Sequence, residues 1–465
     1  MAEATDKLTL GGRRFRPVAI VAAVIFAAAL LGILTRPLGF LAAFWPANAL
    51  LLGMMVRFPA LNTRWGWLGA LAGYLAADWL TGGAFFATLW LTATNMAMAG
   101  TGVALYARLG PADRRLERPV SVLHLFVICV AGAAVATGIG CWANPLFFDR
   151  ELVSGLGYWF SAELVNAISV VPVVLTLPTS VRGMVFGLKR MVTDARFAAP
   201  AVGVLLSVIG ALVVGGPGAI AFPVPALLWC ALYYGVFGTV ILTMLTTGFM
   251  LVAVSAGWLP DIGTLSFMRD TLSVRAGTTL LALGPLMVAS INVAREDALR
   301  RLDHAASHDS LTGVLNRMAL LREGEALMDR GGKAAVLIFD IDHFKQVNDV
   351  HGHAAGDVAL ATLARAVAAG LRENDVFGRL GGEEFVALLP GFGLEAGVAV
   401  AERLRRRVAE TPIELGARTL HVTVSIGVAA REVGANPMLA FLMSRADRAL
   451  YQAKAEGRDR VVGAD

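Results

Sequence analysis

The sequence is short of charge. Asp, Glu, Lys and Arg make up 16% of its 465 residues, against about 25% in an ordinary soluble domain. Hydrophobic residues reach 57% and the mean hydropathy is +0.66, which excludes a chain folded wholly in water. Cysteine is also scarce. The 3 present, Cys129, Cys141 and Cys230, lie in or beside apolar segments without CxxC spacing. A disulfide framework or thiolate metal site is therefore excluded, and the three read as small core residues. No small-residue cleavage site follows Leu34, so the first apolar stretch reads as a retained helix and not as a signal peptide. The net charge is +5 with a pI near 9.3. In so apolar a chain, arginines that set membrane orientation explain this better than a nucleic-acid footprint, and no nucleic-acid partner is expected.

What is present is divided unevenly. From Pro17 to Val293 long apolar runs follow one another, and from Arg295 onward the composition is that of a soluble domain of roughly 160 residues. Spans are expected near Val18–Leu34, Leu38–Val56, Trp67–Leu80, Ala84–Leu105, Val120–Cys141, Tyr158–Leu177, Pro200–Val214, Ile220–Tyr233, Phe237–Trp258 and Ser273–Val293. The seventh and eighth are short and separated only by Gly215-Gly216-Pro217-Gly218, which leaves eight, nine or ten. Basic residues help choose. They cluster at Lys7 to Arg16, at Arg57 and Arg64, from Arg108 to Arg118, and from Arg182 to Arg196, while the intervening connections are poor in them. That alternation favours about ten spans with both termini in the cytoplasm.

Polar residues at membrane depth are costly and mark function unless they merely join helices. Asn48, Asp78, Asn95, Glu163 and Asn166 are of this kind. Asn48, Asp78 and Glu163 are candidates for intramembrane sensing, with interhelical hydrogen bonding as the alternative. The run Phe44-Trp45-Pro46-Ala47-Asn48-Ala49-Leu50-Leu51 resembles the Trp-Pro-x-Asn/Ser signature of the MASE families, membrane-associated sensor domains, and fits the first of them best. It departs at Ala47 and Ala49, where that family often has Pro and Gly. The resemblance implies a sensor but not its ligand.

The stretch from Ile291 to Ala305 continues the last span without Gly or Pro, and Ile291, Ala294, Ala298, Leu302 and Ala305 fall on one helical face. Such a stripe is either a short parallel coiled coil in a dimer or an amphipathic helix lying on the domain's own surface. Beyond it, Asp309 or Ser310 is placed to cap a helix. Ala334–Phe339 reads as a buried strand ending in Asp340-Ile341-Asp342. A helix is expected over Val358–Ala369, then a strand at Val376–Phe377. Arg379-Leu380-Gly381-Gly382-Glu383-Glu384-Phe385 follows, a tight reversal on two glycines carrying two acids into a buried strand. Adjacent acids at a turn repel each other unless a cation joins them, and hard divalent metals with nucleotide phosphates suit them. His351 and His353 lack a third nitrogen or sulfur partner nearby, so zinc is not expected.

These residues together resemble GGDEF-domain diguanylate cyclases. The match rests on Phe339-Asp340-Ile341-Asp342-His343-Phe344-Lys345-x-Val347-Asn348-Asp349, His353-x-x-Gly356-Asp357, Arg379-x-Gly381-Gly382-Glu383-Glu384-Phe385, Ser425-Ile426-Gly427-Val428, Ala446-Asp447-x-Ala449-Leu450-Tyr451-x-Ala453-Lys454 and Gly457-Arg458-Asp459-Arg460. The resemblance implies an α/β domain like the polymerase palm and the nucleotide cyclases, an antiparallel-rich sheet flanked by helices. It implies that Asp340, the Ile341 carbonyl and Glu383 hold Mg²⁺, two ions per site with Mn²⁺ able to substitute, and that Glu384 completes the acidic centre. By the same resemblance Glu383 is the candidate proton acceptor, with a metal-bound hydroxyl as the alternative, and Lys345, with the backbone at His343 and Phe344, and Lys454 and Arg458 would hold phosphates. Asn348 and Asp357 match the family's guanine-reading pair. Arg372 and Asp375 match the RxxD product site.

The reading is a polytopic α-helical membrane bundle joined to a cytoplasmic GGDEF domain. Its parts are a segment at 1–17, a membrane sensor at 18–293, a helical connector at 294–307 and the catalytic domain at 308–465. The expected function is condensation of two GTP to cyclic di-GMP by a homodimer in the bacterial inner membrane, under control of the sensor and of product inhibition. The alternatives are a catalytically silent GGDEF receptor for GTP or cyclic di-GMP, and a transporter with a regulatory tail.

Overall fold

The computed structural model describes residues 2–35, 42–178, 180, 189–190, 193–259, 267–416, 418–432 and 438–464. The start of the expected second span, at Leu38, and the basic residue Arg182 lie outside them. The chain divides into two compact units, Met1–Asp297 and Ala298–Asp465.

The first unit is helical: α1 (Ala2–Leu34), α2 (Ala47–Arg57), α3 (Arg64–Leu80), α4 (Phe85–Tyr106), α5 (Pro111–Arg114), α6 (Pro119–Gly140), α7 (Ala143–Phe147), α8 (Leu152–Leu175), α9 (Ala195–Val214), α10 (Val224–Tyr233), α11 (Gly235–Ser255) and α12 (Phe267–Ser307). Among the described residues, 6 helices are long and apolar enough to cross a membrane: Arg16–Leu34, Pro119–Phe147, Gly155–Leu175, Ala195–Val214, Gly235–Ser255 and Leu272–Ser307. Exposed Leu206, Val213 and Val214 on α9 fit a lipid solvent and not water. The expected second span has a helix of only 11 residues, α2, because Pro46 precedes it and the chain enters unwound, with Trp45 N donating to Asn166 Oδ1 at 3.0 Å. Small residues let helices touch. A Cβ at Gly69 of α3 would lie 2.5 Å from Val18 O of α1, and one at Gly73 would lie 2.7 Å from Ala22 O.

The second unit is built on β1 (Ala334–Ile341), whose residues are all buried. β2 (Val376–Gly381), β3 (Glu384–Pro390), β6 (Val424–Arg431) and β7 (Val461–Gly463) join it in the order β2-β3-β1-β6-β7. β1 is antiparallel to β3 and β6, and β6 is parallel to β7, so the sheet is mixed. Alternate β1 side chains feed two cores. Leu337, Phe339 and Ile341 pack with Leu363 of α15 (His353–Ala368) and Leu404 of α16 (Leu394–Glu410). Val336 and Ile338 pack with Leu320 of α13 (Arg317–Asp329) and with Leu442 and Leu450 of α17 (Leu439–Ala455). A Cβ at Gly427 would lie 2.0 Å from Ala446 O, so the glycine of Ser425-Ile426-Gly427-Val428 lets α17 lie against β6. A short hairpin, β4 (Ile413–Leu415) with β5 (Arg418–Leu420), stands apart from this sheet.

Two local expectations are corrected. Neither Asp309 nor Ser310 caps a helix. Residues 309–313 form a turn, and α13 begins at Arg317, capped by Asn316, whose Oδ1 accepts from Ala319 N at 3.0 Å. The helix expected from Val358 begins earlier, at His353, because Gly352 with φ 82° turns the chain out of the preceding short helix α14 (Phe344–His351).

Candidate active site

The Gly381-Gly382 reversal joins β2 to β3, with φ of 153° and 55°, values that side chains with a Cβ adopt only under strain. Arg379 closes it. Its Nε and Nη2 donate to Gly382 O at 2.9 and 2.6 Å, and its Nη1 reaches Asp309 Oδ1 at 3.1 Å. Burial alone would raise the Asp309 carboxyl. The Thr312 hydroxyl, the Thr312 N–H and the Arg379 guanidinium outweigh it and hold the carboxyl below its usual range.

The turn delivers its acids to the end of β1. Glu384, the first residue of β3, stands opposite Asp340 in the strand register, and Glu383 is half-buried beside it. Asp340 is 5% exposed. Lys454, one of the residues matched to phosphate binding, projects from α17 and places Nζ 2.7 Å from Asp340 Oδ2. Burial raises the Asp340 carboxyl, the Lys454 ammonium opposes that, and the charges of Glu383 and Glu384 add to the rise. These acids are thus close enough to feel one another. Among the described residues no three acids or histidines converge tightly enough to hold an ion unaided. The donors are oxygens only, which suits a hard cation that arrives with phosphates and keeps other ligands of its own.

The remaining matched positions lie on other elements of the second unit. His343, in a left-handed conformation at φ 57°, turns the chain from β1 into α14, whose first turn carries exposed Lys345. Asn348 and Asp357 come from successive helices. The Asn348 carboxamide lies against Gly356, where a Cβ would sit 2.0 Å from its Oδ1. The Gly356-Asp357 pair therefore makes room for the asparagine beside the exposed aspartate. Arg372 and Asp375 form a closed turn, with Arg372 N donating to Asp375 Oδ2 at 2.7 Å and the guanidinium 4.8 Å from the centre of the Phe392 ring. Arg458 is exposed on the loop after α17, with φ 64°.

In the first unit, Asn48 is a hub. Its Nδ2 donates to Asn95 Oδ1 at 3.0 Å and to Glu163 Oε2 at 2.9 Å, and its Oδ1 accepts from Tyr74 OH at 2.8 Å. Asp78, Asn95, Glu163 and Asn166 line one cavity of about 50 Å³ with Trp45 and Trp159. The polar residues singled out in the apolar runs are thus brought together.

Three sets of contacts were not foreseen from the sequence. Arg379 and Asp309 tie the turn down. Asp342 is buried under three donors from β6, its preceding loop and the C-terminal loop. Arg275 is buried in α12 and donates to Ala42 O at 3.2 Å and Tyr158 OH at 3.3 Å, its guanidinium 4.3 Å from the Tyr158 ring centre. An arginine inside an apolar run was the signal available for the last.

Residues 306–460 match the family profile "Diguanylate cyclase, GGDEF domain", and residues 17–289 match MASE1. The probable diguanylate cyclase DgcF of Escherichia coli O157:H7 is 31% identical over 432 residues, covering 90% of this chain and 89% of that protein. The response regulator PleD of Caulobacter vibrioides is 41% identical over 177 residues, covering 36% of this chain and 39% of its own. Among solved structures, the coiled coil and GGDEF domain of DgcB from Caulobacter crescentus, in complex with c-di-GMP, is 29% identical with a TM-score of 0.35, covering 37% of this chain and 92% of that one. With a MASE1 match through the apolar helices and a GGDEF match through the acidic turn, the chain belongs to the membrane-anchored GGDEF diguanylate cyclases.

Proposed function

We propose that the centre formed by Asp340, Glu383, Glu384 and Lys454 performs the cyclase reaction, joining two GTP into cyclic di-GMP with release of two pyrophosphates. The observation that carries this is the meeting of two acids and an ammonium at the strand end, with Glu384 in register with Asp340 and Lys454 Nζ 2.7 Å from Asp340 Oδ2. Glu383 accepts the proton of a ribose 3′-hydroxyl as its oxygen bonds to the α-phosphorus of the facing GTP, and the bond to pyrophosphate breaks. Lys345 and Arg458, with Lys454, hold the phosphates by charge-assisted contacts, aided by the backbone at His343 and Phe344. Asn348 and Asp357 read guanine, whose N1–H and N2–H₂ donors adenine does not present to a carboxylate. Asp340, the Ile341 carbonyl and Glu383 are the donors for Mg²⁺, which when bound supplies charge neutralisation of the triphosphate and of the departing pyrophosphate.

Each domain binds one GTP, so two must face each other in a homodimer. Exposure of Leu302 at 65% and Ile291 at 48% on the α12 stripe supports a helical seam between subunits better than a helix packed on its own domain. Arg372 and Asp375 bind the product and restrain the enzyme. The alternation of basic connections supports about ten spans with both termini in the cytoplasm of an inner-membrane protein, and Asn48, Asp78 and Glu163 form the sensing region. The deciding experiment is product formation from GTP and Mg²⁺ by full-length protein in which Glu383 and Glu384 are both Gln. Folded protein without cyclic di-GMP synthesis is expected; retained synthesis overturns the assignment.

A further inference from the structure

Three matched motifs share a contact that their individual assignments leave unexplained. Asp342 closes the strand-end motif, Ser425 opens Ser425-Ile426-Gly427-Val428, and Asp459 lies in Gly457-Arg458-Asp459-Arg460. In the fold they meet. The Asp342 carboxylate, 6% exposed, accepts from Ser425 Oγ at 2.6 Å, from Thr423 Oγ1 at 2.7 Å and from the backbone N–H of Asp459 at 3.0 Å. Its own N–H donates to Thr423 O at 3.0 Å.

The loop so held needs holding. Arg458 and Asp459 are consecutive non-glycine residues at φ 64° and 45°, a left-handed conformation in which the Cβ crowds the backbone. Arg458 N donates to Ala453 O at 3.0 Å at the end of α17, and Ile426 N donates to Arg460 O at 2.9 Å where β7 begins. Between these two anchors the Asp342 bond fixes the peptide that follows Arg458. From the other side, Arg405 of α16 pairs with the Asp459 carboxylate. A carboxylate accepting three hydrogen bonds in a site this enclosed is a stiff anchor.

We infer that Asp342 is a positioning residue for the phosphate grip: it fixes the left-handed Arg458-Asp459 pair and so sets where the Arg458 guanidinium meets the nucleotide. Asp342 touches neither substrate nor reacting atoms in this role. The inference rests on the assignment of Arg458 to phosphate proposed above, and it gives Ser425 and Thr423 a function as the donors that orient Asp342.

The test is steady-state kinetics on the full-length enzyme with the variants Asp342→Asn, Arg458→Ala and their combination. Asp342→Asn should raise the KM for GTP about tenfold while kcat changes less than about threefold. The double variant should be no worse than Arg458→Ala alone, because both remove one interaction. Ser425→Ala with Thr423→Val keeps the carboxylate, lowers the risk of misfolding, and should raise KM by a smaller factor in the same direction. An Asp342→Asn effect that falls on kcat alone, or that multiplies with that of Arg458→Ala, overturns the inference. An Arg458→Ala enzyme with unchanged KM would instead overturn the phosphate assignment.

Discussion

The Arg379 guanidinium bridges two segments 70 residues apart, with Nη1 3.1 Å from Asp309 Oδ1 and two other nitrogens on Gly382 O. A planar fork is needed to reach both at once. The acidic turn is thus tied to the entry of its own domain.

Arg379→Lys keeps the charge but cannot make the fork, so the turn should lose its place relative to β1. The expected result is a fall in kcat for cyclic di-GMP synthesis on the order of 10- to 100-fold, with the melting temperature of the domain little changed. Rates by chromatography of the product, alongside thermal unfolding, check this.

Gly356 is the position where added bulk should act on base recognition. An alanine Cβ there would lie 2.0 Å from Asn348 Oδ1, so the carboxamide must move. Gly356→Ala should raise the KM for GTP about tenfold or more and narrow the preference for GTP over ATP. Competition between the two nucleotides measures both.

Arg372 lies over Phe392, its guanidinium 4.8 Å from the ring centre, and a fork in that position can pair with a phosphate or a base edge. Arg372→Ala should leave the initial rate unchanged and raise the cyclic di-GMP concentration for half-inhibition by about 10- to 100-fold, the worth of a charge-assisted contact. Progress curves with added product read it directly.

A pH dependence follows from Glu402. The hydrogen bond from Arg405 outweighs the opposing penalty of burial, and with the hydrogen bond from Arg406 and the charges of both arginines it pushes the carboxyl down to about 2 from an ordinary 4.5. A depressed carboxyl stabilises the fold above its unfolded value and loses that contribution as pH falls through its folded value. The stability difference between the second unit and its Glu402→Gln variant should therefore be full at pH 7 and shrink steadily between about pH 4.5 and 2. Denaturant unfolding at several pH values checks the sign.

The sequence made legible whatever depends on near neighbours. The Gly381-Gly382 reversal, the buried β1 run and the paired Asn348 and Gly356-Asp357 are local patterns with local physical causes. What it concealed was long-range pairing. Asp309 has the chemistry of a helix cap, and only its distant partner Arg379 makes it a turn anchor. Asp342 looked like one more acid in a motif until Ser425 and Asp459 arrived from later in the chain. The second apolar run was long enough for a span, but Pro46 and the Trp45–Asn166 hydrogen bond shorten its helix. Hydropathy counts residues and is blind to such a break.

The helix Phe267–Ser307 contains Pro285, preceded by Gly284, and neither residue type recurs between Leu286 and Ser307. The first pair lacks a backbone N–H and a side chain, so bending is cheapest there. The stretch beyond is an unbroken rod of about 33 Å at 1.5 Å per residue. Such an arrangement is a lever with its fulcrum at one end. A tilt of about 5° at Gly284-Pro285 would sweep the far end through roughly 3 Å, on the order of a hydrogen bond's length.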